Sequence, residues 1–141
     1  MKRPFSSLGA LALVLTLASC GPGRAAADAK LSSACLAAVK MMHGPDDTYD
    51  IKDTVFQSEK STEKTNLRVV RIHALYTQSH GVLQDKDYSC AFEETSGLFG
   101  YKAAFYRMEF DDQKLGNFDG HITGDLDQMV KINQAMSEIL Q

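Results

Sequence analysis

Leu67-Arg68-Val69-Val70-Arg71-Ile72-His73-Ala74-Leu75-Tyr76-Thr77 carries the strongest secondary-structure signal in the chain. Val70, Ile72, Ala74 and Tyr76 occupy every second place, while Val69, Arg71, His73 and Leu75 fill the places between. A period of two belongs to a β-strand, whose side chains alternate between faces. One face is apolar throughout, so this strand belongs to a sheet with one face packed on a core. Polar residues 59–66 precede it, and a turn opening at His80-Gly81 and running through Lys86 follows.

Three more runs alternate in the same way. Residues 49–57 place Tyr49, Ile51, Val55 and Gln57 in alternation, with Asp53 breaking the pattern. Tyr88, Cys90 and Phe92 oppose Ser89, Ala91 and Glu93. Residues 101–110 set Ala104, Tyr106, Met108 and Phe110 against Ala103, Phe105 and Arg107, after a turn from Ser96-Gly97 to Gly100. Short turns between such runs predict an antiparallel meander rather than crossovers.

Helical periodicity brackets the strands. Leu31, Cys35, Ala38, Val39 and Met42 form one stripe over residues 29–42, with Asp28 as the expected N-cap. Gly44-Pro45 is the stop signal, with Gly44 suited to a left-handed C′ position. Residues 126–140 carry Met129, Ile132, Met136, Ile139 and Leu140 on one face, opened by Asp125 with Gln128 three places on, a capping pair. Residues 111–124, rich in Gly, Asp and Asn, read as a loop. The expected fold is α+β: an N-terminal helix, a four-stranded antiparallel meander and a C-terminal helix, with both helices on one face of the sheet.

The first twenty residues read differently. Met1-Lys2-Arg3 is basic, residues 8–17 are apolar, and Leu17-Ala18-Ser19-Cys20 closes the run. This is the layout of a secretory signal. The apolar run of about ten residues falls well short of the roughly 20 that span a bilayer as a helix. Leu17-Ala18-Ser19-Cys20 resembles the lipobox of bacterial lipoproteins. That resemblance implies cleavage before Cys20, a diacylglycerol on its sulfur and a membrane anchor. Gly21, where an Asp often signals inner-membrane retention, resembles the class sent to the outer membrane, facing the periplasm. The expected division is a signal peptide at 1–19, lipidated Cys20 with a flexible tether at 20–27, and one domain at 28–141. The competing reading is ordinary secretion, with cleavage at Ala25-Ala26-Ala27 before Asp28.

Composition excludes more than it assigns. The chain has a formal net charge of −3, and loss of Lys2 and Arg3 takes it to −5. That acidic balance offers no basic patch to nucleic acid. The five Tyr and seven Phe lie mostly in alternating patterns and read as core.

Cys35 lies on the helix stripe and Cys90 on the Tyr88/Phe92 face, so both look toward the core. In an oxidising compartment the physical reading is a disulfide joining helix to sheet, with two buried thiols as the alternative. The stretches Ala34-Cys35-Leu36-Ala37-Ala38-Val39-Lys40 and Tyr88-Ser89-Cys90-Ala91-Phe92 resemble those of small exported bacterial proteins, mostly uncharacterised. That likeness supports the disulfide and the fold class and implies no activity.

No constellation for chemistry stands out. His73 and His80 are an odd number of residues apart, the wrong spacing for joint ligands on a strand. Glu93 and Glu94 are adjacent and point to opposite faces. Asp119-Gly120-His121 fails as an EF-hand, because aligning Gly120 with the invariant glycine puts Leu115 at the first ligand position. The sequence therefore predicts no catalytic set, no cofactor and no metal.

Arg68, Arg71 and Arg107 are candidates to gather on one sheet face as an anion or partner patch, the common alternative being pairing with Glu or Asp across strands. Phe118 reads as a plug under the sheet, and otherwise as an exposed recognition residue. Arg71, Arg107, Phe118 and His121 are the candidate binding residues, and the 111–124 loop is the expected contact for a protein partner. The function these features predict is a non-enzymatic cell-envelope lipoprotein that binds or supports another envelope component. The alternative is an inhibitor of an envelope-targeting enzyme such as a lysozyme, on the slight likeness of Ser96-Gly97 and Tyr101 to lysozyme-inhibitor lipoproteins.

Overall fold

The computed structural model describes residues 23–79 and 81–141. Cys20, the apolar run before it and His80 lie outside them. The order of elements is α1 (Arg24–Met42), β1 (Thr48–Lys60), β2 (Asn66–Thr77), β3 (Leu83–Gly97), β4 (Gly100–Phe110), β5 (Gln113–Phe118), β6 (His121–Thr123) and α2 (Leu126–Leu140). The strands form one six-stranded antiparallel sheet in sequence order. The α+β class therefore stands, but a four-stranded meander does not.

The two extra strands lie where a loop was expected. Asp111 takes φ 49°, turning β4 directly into β5. Asp119 (φ 54°) and Gly120 (φ 81°) then turn β5 into β6. Asp-Gly flanked by pairing segments is a two-residue hairpin signal, because both places need positive φ. The strands escape notice because they are short and Gly116 and Asn117 are poor strand formers. Gly116 is there for a reason: it takes φ 106°, and a Cβ would collide with the Tyr106 carbonyl and Arg107 Cα of β4.

The first helix starts earlier than its apolar stripe. α1 begins at Arg24, so Arg24–Ala27, expected as tether, are helical, and Asp28 is no N-cap. Ala25-Ala26-Ala27 lacks apolar periodicity but is the best helix-forming residue repeated. Ala27 is 3 % exposed. The helix ends at Met42, before Gly44-Pro45, yet Gly44 is not left-handed; its N–H donates to Asp47. At α2 the expected cap is present: Asp125 Oδ1 accepts from the Gln128 N–H at 2.9 Å.

The main core lies between sheet and helices. Leu31, Cys35 and Val39 of α1 pack with Val70, Ile72, Cys90, Phe92 and Met108 of the sheet and with Ile132 and Met136 of α2. Cys35 and Cys90 form a disulfide, with Cα atoms 5.7 Å apart, closing a separation of 55 residues. The register of β1 against β2 shifts between Ile51 and Asp53, which is why Asp53 breaks the alternation.

The opposite face, helix-free among the described residues, has a smaller cluster of its own. Leu67, Val69 and Ala91 are buried there against Tyr106. The register shift between Ala91 and Phe92 lets β4 present Tyr106 and Arg107 to that side.

Candidate functional site

Glu59 of β1 joins two of the predicted arginines on the helix-free face. Arg107 donates to it from Nη2 at 3.1 Å, and Arg71 Nη2 lies 3.8 Å away. β1 and β4 are three strand spacings apart, about 14 Å in a flat sheet, so long side chains close the gap. A groove of about 550 Å³ runs here, with Glu59, Arg71, Asp87, Arg107 and Glu109 among its lining residues. Each guanidinium already has a carboxylate neighbour, so the groove is of mixed charge and not a bare anion cradle. Arg71 keeps 56 % of its side chain exposed.

Phe118 belongs to the same face. It is half-buried in β5, with the Arg107 guanidinium 5.6 Å and the Lys114 ammonium 5.2 Å from its ring centre. It is thus not a plug in the main core but an aromatic support for two cations. His121 is exposed in β6, on the far side of the Asp119-Gly120 turn. Arg68 does not join the cluster. It points to the helix side, where it grips Asp28 of α1 through Nε at 3.0 Å and Nη2 at 2.6 Å. Positions 68 and 71 are an odd number apart on one strand, so opposite faces were legible from the spacing.

His73 extends the helix-free face toward the β2–β3 turn. Its ring nitrogens lie 2.8 Å from Asp87 and 3.0 Å from Asp85. The Asp87 hydrogen bond, with Asp85 and Asp53 nearby, raises its pKa above the ordinary value.

Sequence reasoning missed a second histidine. His43, just past α1, stacks against Tyr76 at 4.6 Å between ring centres, with Tyr49 and Tyr88 at 5.9 Å and Phe110 at 6.1 Å. Desolvation among these rings lowers its pKa, against the pull of Asp47 and Asp111. Tyr76 donates to Asp47 at 2.8 Å, and burial pushes the Tyr88 hydroxyl up to about 12. The only available signal was a histidine beside the helix stop.

At the other end of the molecule, Arg24 donates to both carboxylate oxygens of Glu94, at 3.1 and 2.6 Å, and Tyr101 donates to Glu94 at 2.6 Å. A second hollow, about 520 Å³, lies between β4 and α2, with Ala103, Phe105, Met136 and Leu140 in its wall. Among the described residues, no group of three His, Cys, Asp or Glu is placed to hold a metal ion. No helix among them is long and apolar enough to cross a membrane.

No protein-family model matches this chain, and neither a curated protein nor a solved structure was found to match it.

Proposed function

We propose that this chain is a non-enzymatic cell-envelope lipoprotein, anchored through Cys20, whose domain offers the helix-free sheet face to an envelope partner. The observation that carries the anchor is the start of α1. Secretory cleavage after Ala27 would remove the helix's first turn, and with it a buried alanine and the Arg24–Glu94 pair. Cleavage before Cys20 leaves that turn whole, with only Gly21, Pro22 and Gly23 between the acylated residue and the domain.

The partner reading rests on the inequality of the two faces. Helices cover one side of the sheet; the other keeps a groove with an exposed arginine, and arginine is enriched at interfaces. The inhibitor alternative calls for a protruding recognition loop: Phe118 lies within β5 and does not supply one, and the exposed Leu98-Phe99 tip beside Ser96-Gly97 is the feature that would serve it.

The test is detergent phase partition of the full chain expressed in a bacterial host. The wild type is expected in the detergent phase and Cys20→Ala in the aqueous phase or unprocessed. Release of the wild type as an aqueous species beginning at Asp28 would overturn the anchor.

A further inference from the structure

The β3–β4 hairpin ends in two bulky apolar residues that no described residue covers. Leu98 is 101 % exposed and Phe99 93 %. Gly97 pairs with Gly100, so Leu98-Phe99 is the entire two-residue tip. Tips of this kind favour Asn, Asp and Gly, for their conformations and their ease in water. Here the positive φ falls on Gly100, at 93°, so the backbone makes no demand for leucine or phenylalanine.

The position of the tip indicates what it meets. Arg24, the first residue of α1, holds Glu94, four residues before Leu98 on β3. Four residues of strand advance about 13 Å. The three residues 21–23 and Cys20 together span at most about 14 Å when extended. A segment of that length, fully extended toward the tip, is long enough to bring the anchor to the level of Leu98 and Phe99. Lys102 is exposed nearby on β4, paired in register with Thr95, a cation suited to lipid headgroups.

We propose that Leu98 and Phe99 insert into the bilayer that holds the Cys20 anchor, as a second apolar contact that fixes the orientation of the domain. This rests on the anchor reading. The two acyl chains of the Cys20 diacylglycerol already hold the chain on the bilayer, so the tip adds orientation, with its apolar side chains seated at the headgroup–acyl boundary, about 5–10 Å deep. With the tip inserted, the hairpin is a strut and the β2–β3 turn, at the opposite end of β3, points away from the membrane.

The chain contains no tryptophan, so one introduced indole reports its own surroundings. The full chain bearing Phe99→Trp is purified from membranes and reconstituted in phosphatidylethanolamine–phosphatidylglycerol vesicles with brominated acyl chains. Val82→Trp, at an exposed site in the β2–β3 turn, is the control. Both proteins are expected to float with the vesicles. The indole at position 99 should shift blue and be quenched, and the one at position 82 should behave as in water. Flotation with both indoles equally water-exposed would overturn tip insertion and leave the anchor standing; a tip that serves a protein partner or a second copy gives this result. Failure of both to float would overturn the anchor and the insertion with it. Leu98→Asp/Phe99→Asp should still float, but exchange between vesicles several-fold faster than wild type. Unchanged exchange would count against the proposal.

Discussion

Arg24 and Glu94 form a two-pronged ion pair, at 3.1 and 2.6 Å, between the first residue of α1 and the β3–β4 hairpin. Arg24 also lies 2.7 Å from Asp28, which Arg68 holds from the other side. These charged residues fasten the start of the helix to the sheet. Their energies are unequal. The Arg24 side chain is 48 % exposed, so solvent screens its contribution, whereas Asp28 and Arg68 are 12 % and 14 % exposed. Arg24→Ala should lower unfolding stability by about 1 kcal/mol or less. Arg68→Ala should cost about 2–4 kcal/mol, because it strips a buried carboxylate of its main partner. Urea unfolding of the two variants checks the ranking.

The same cluster has a pH signature. Burial pushes the Asp28 carboxyl upward, but Arg68 and Arg24 outweigh it and hold the pKa below the ordinary carboxylate value. A group with a depressed native pKa stabilises above its unfolded pKa, near 3.9, and loses that contribution as pH falls through the native one. Part of the acid unfolding of the protein should therefore vanish in Asp28→Asn, which will be less stable at neutral pH and less sensitive to acid. An Asp28→Asn protein with the wild-type acid slope would contradict this.

The two described histidines that carry resolved shifts should titrate on opposite sides of the ordinary value of about 6.5. His73 titrates above it, because of the Asp87 hydrogen bond and the nearby Asp85 and Asp53; His43 titrates below it, because the surrounding rings desolvate it. The His73 contribution is complete below the unfolded pKa and fades as pH rises through the native one. That of His43 is complete above the unfolded pKa and is lost as pH falls through its native value. Two-dimensional NMR of the ring protons distinguishes them, and equal midpoints would refute the assignment.

Loss of the disulfide should be costly. Removing a bridge that closes a loop of this length lowers stability by about 2–5 kcal/mol, so Cys90→Ala should shift the denaturant midpoint substantially. Cys35→Ala should match it, since both sulfurs sit in the same core. Non-reducing mass spectrometry should find the native domain two hydrogens lighter than the reduced one.

Much of this architecture is written in local periodicity. The strand at Val70–Tyr76, the stripe at Leu31–Val39 and the cap at Asp125 each follow from patterns that short segments satisfy alone. What was missed depends on partners distant in sequence. β5 is a strand because β4 offers it hydrogen bonds, not because Gly116 and Asn117 favour extension. Arg24–Ala27 is helix because Glu94 and the sheet receive its first turn. Glu59 escaped notice as the residue joining Arg71 to Arg107, since its role depends on geometry across four strands. Phe118, expected under the sheet, lies against Arg107 because Gly116 pairs with Arg107 and Phe118, two residues on, shares that face.

Gly116 gives a sharper check on the extra strands. With φ 106° and the β4 backbone against its α-carbon, Gly116→Ala should destabilise the fold by about 2–4 kcal/mol, from left-handed strain plus displaced backbone. Gly97→Ala, where nothing lies within 4 Å and φ is not positive, should cost little. If position 116 lay in a solvated loop, the two substitutions would differ far less.

The central claim, an anchor at Cys20 with the folded domain starting four residues later, is tested most directly by the mass of the mature N-terminal peptide from cell membranes. The expected peptide begins at Cys20, carries acyl chains and continues through Gly21-Pro22-Gly23-Arg24. A mature protein that begins at Asp28 and carries no lipid would contradict it.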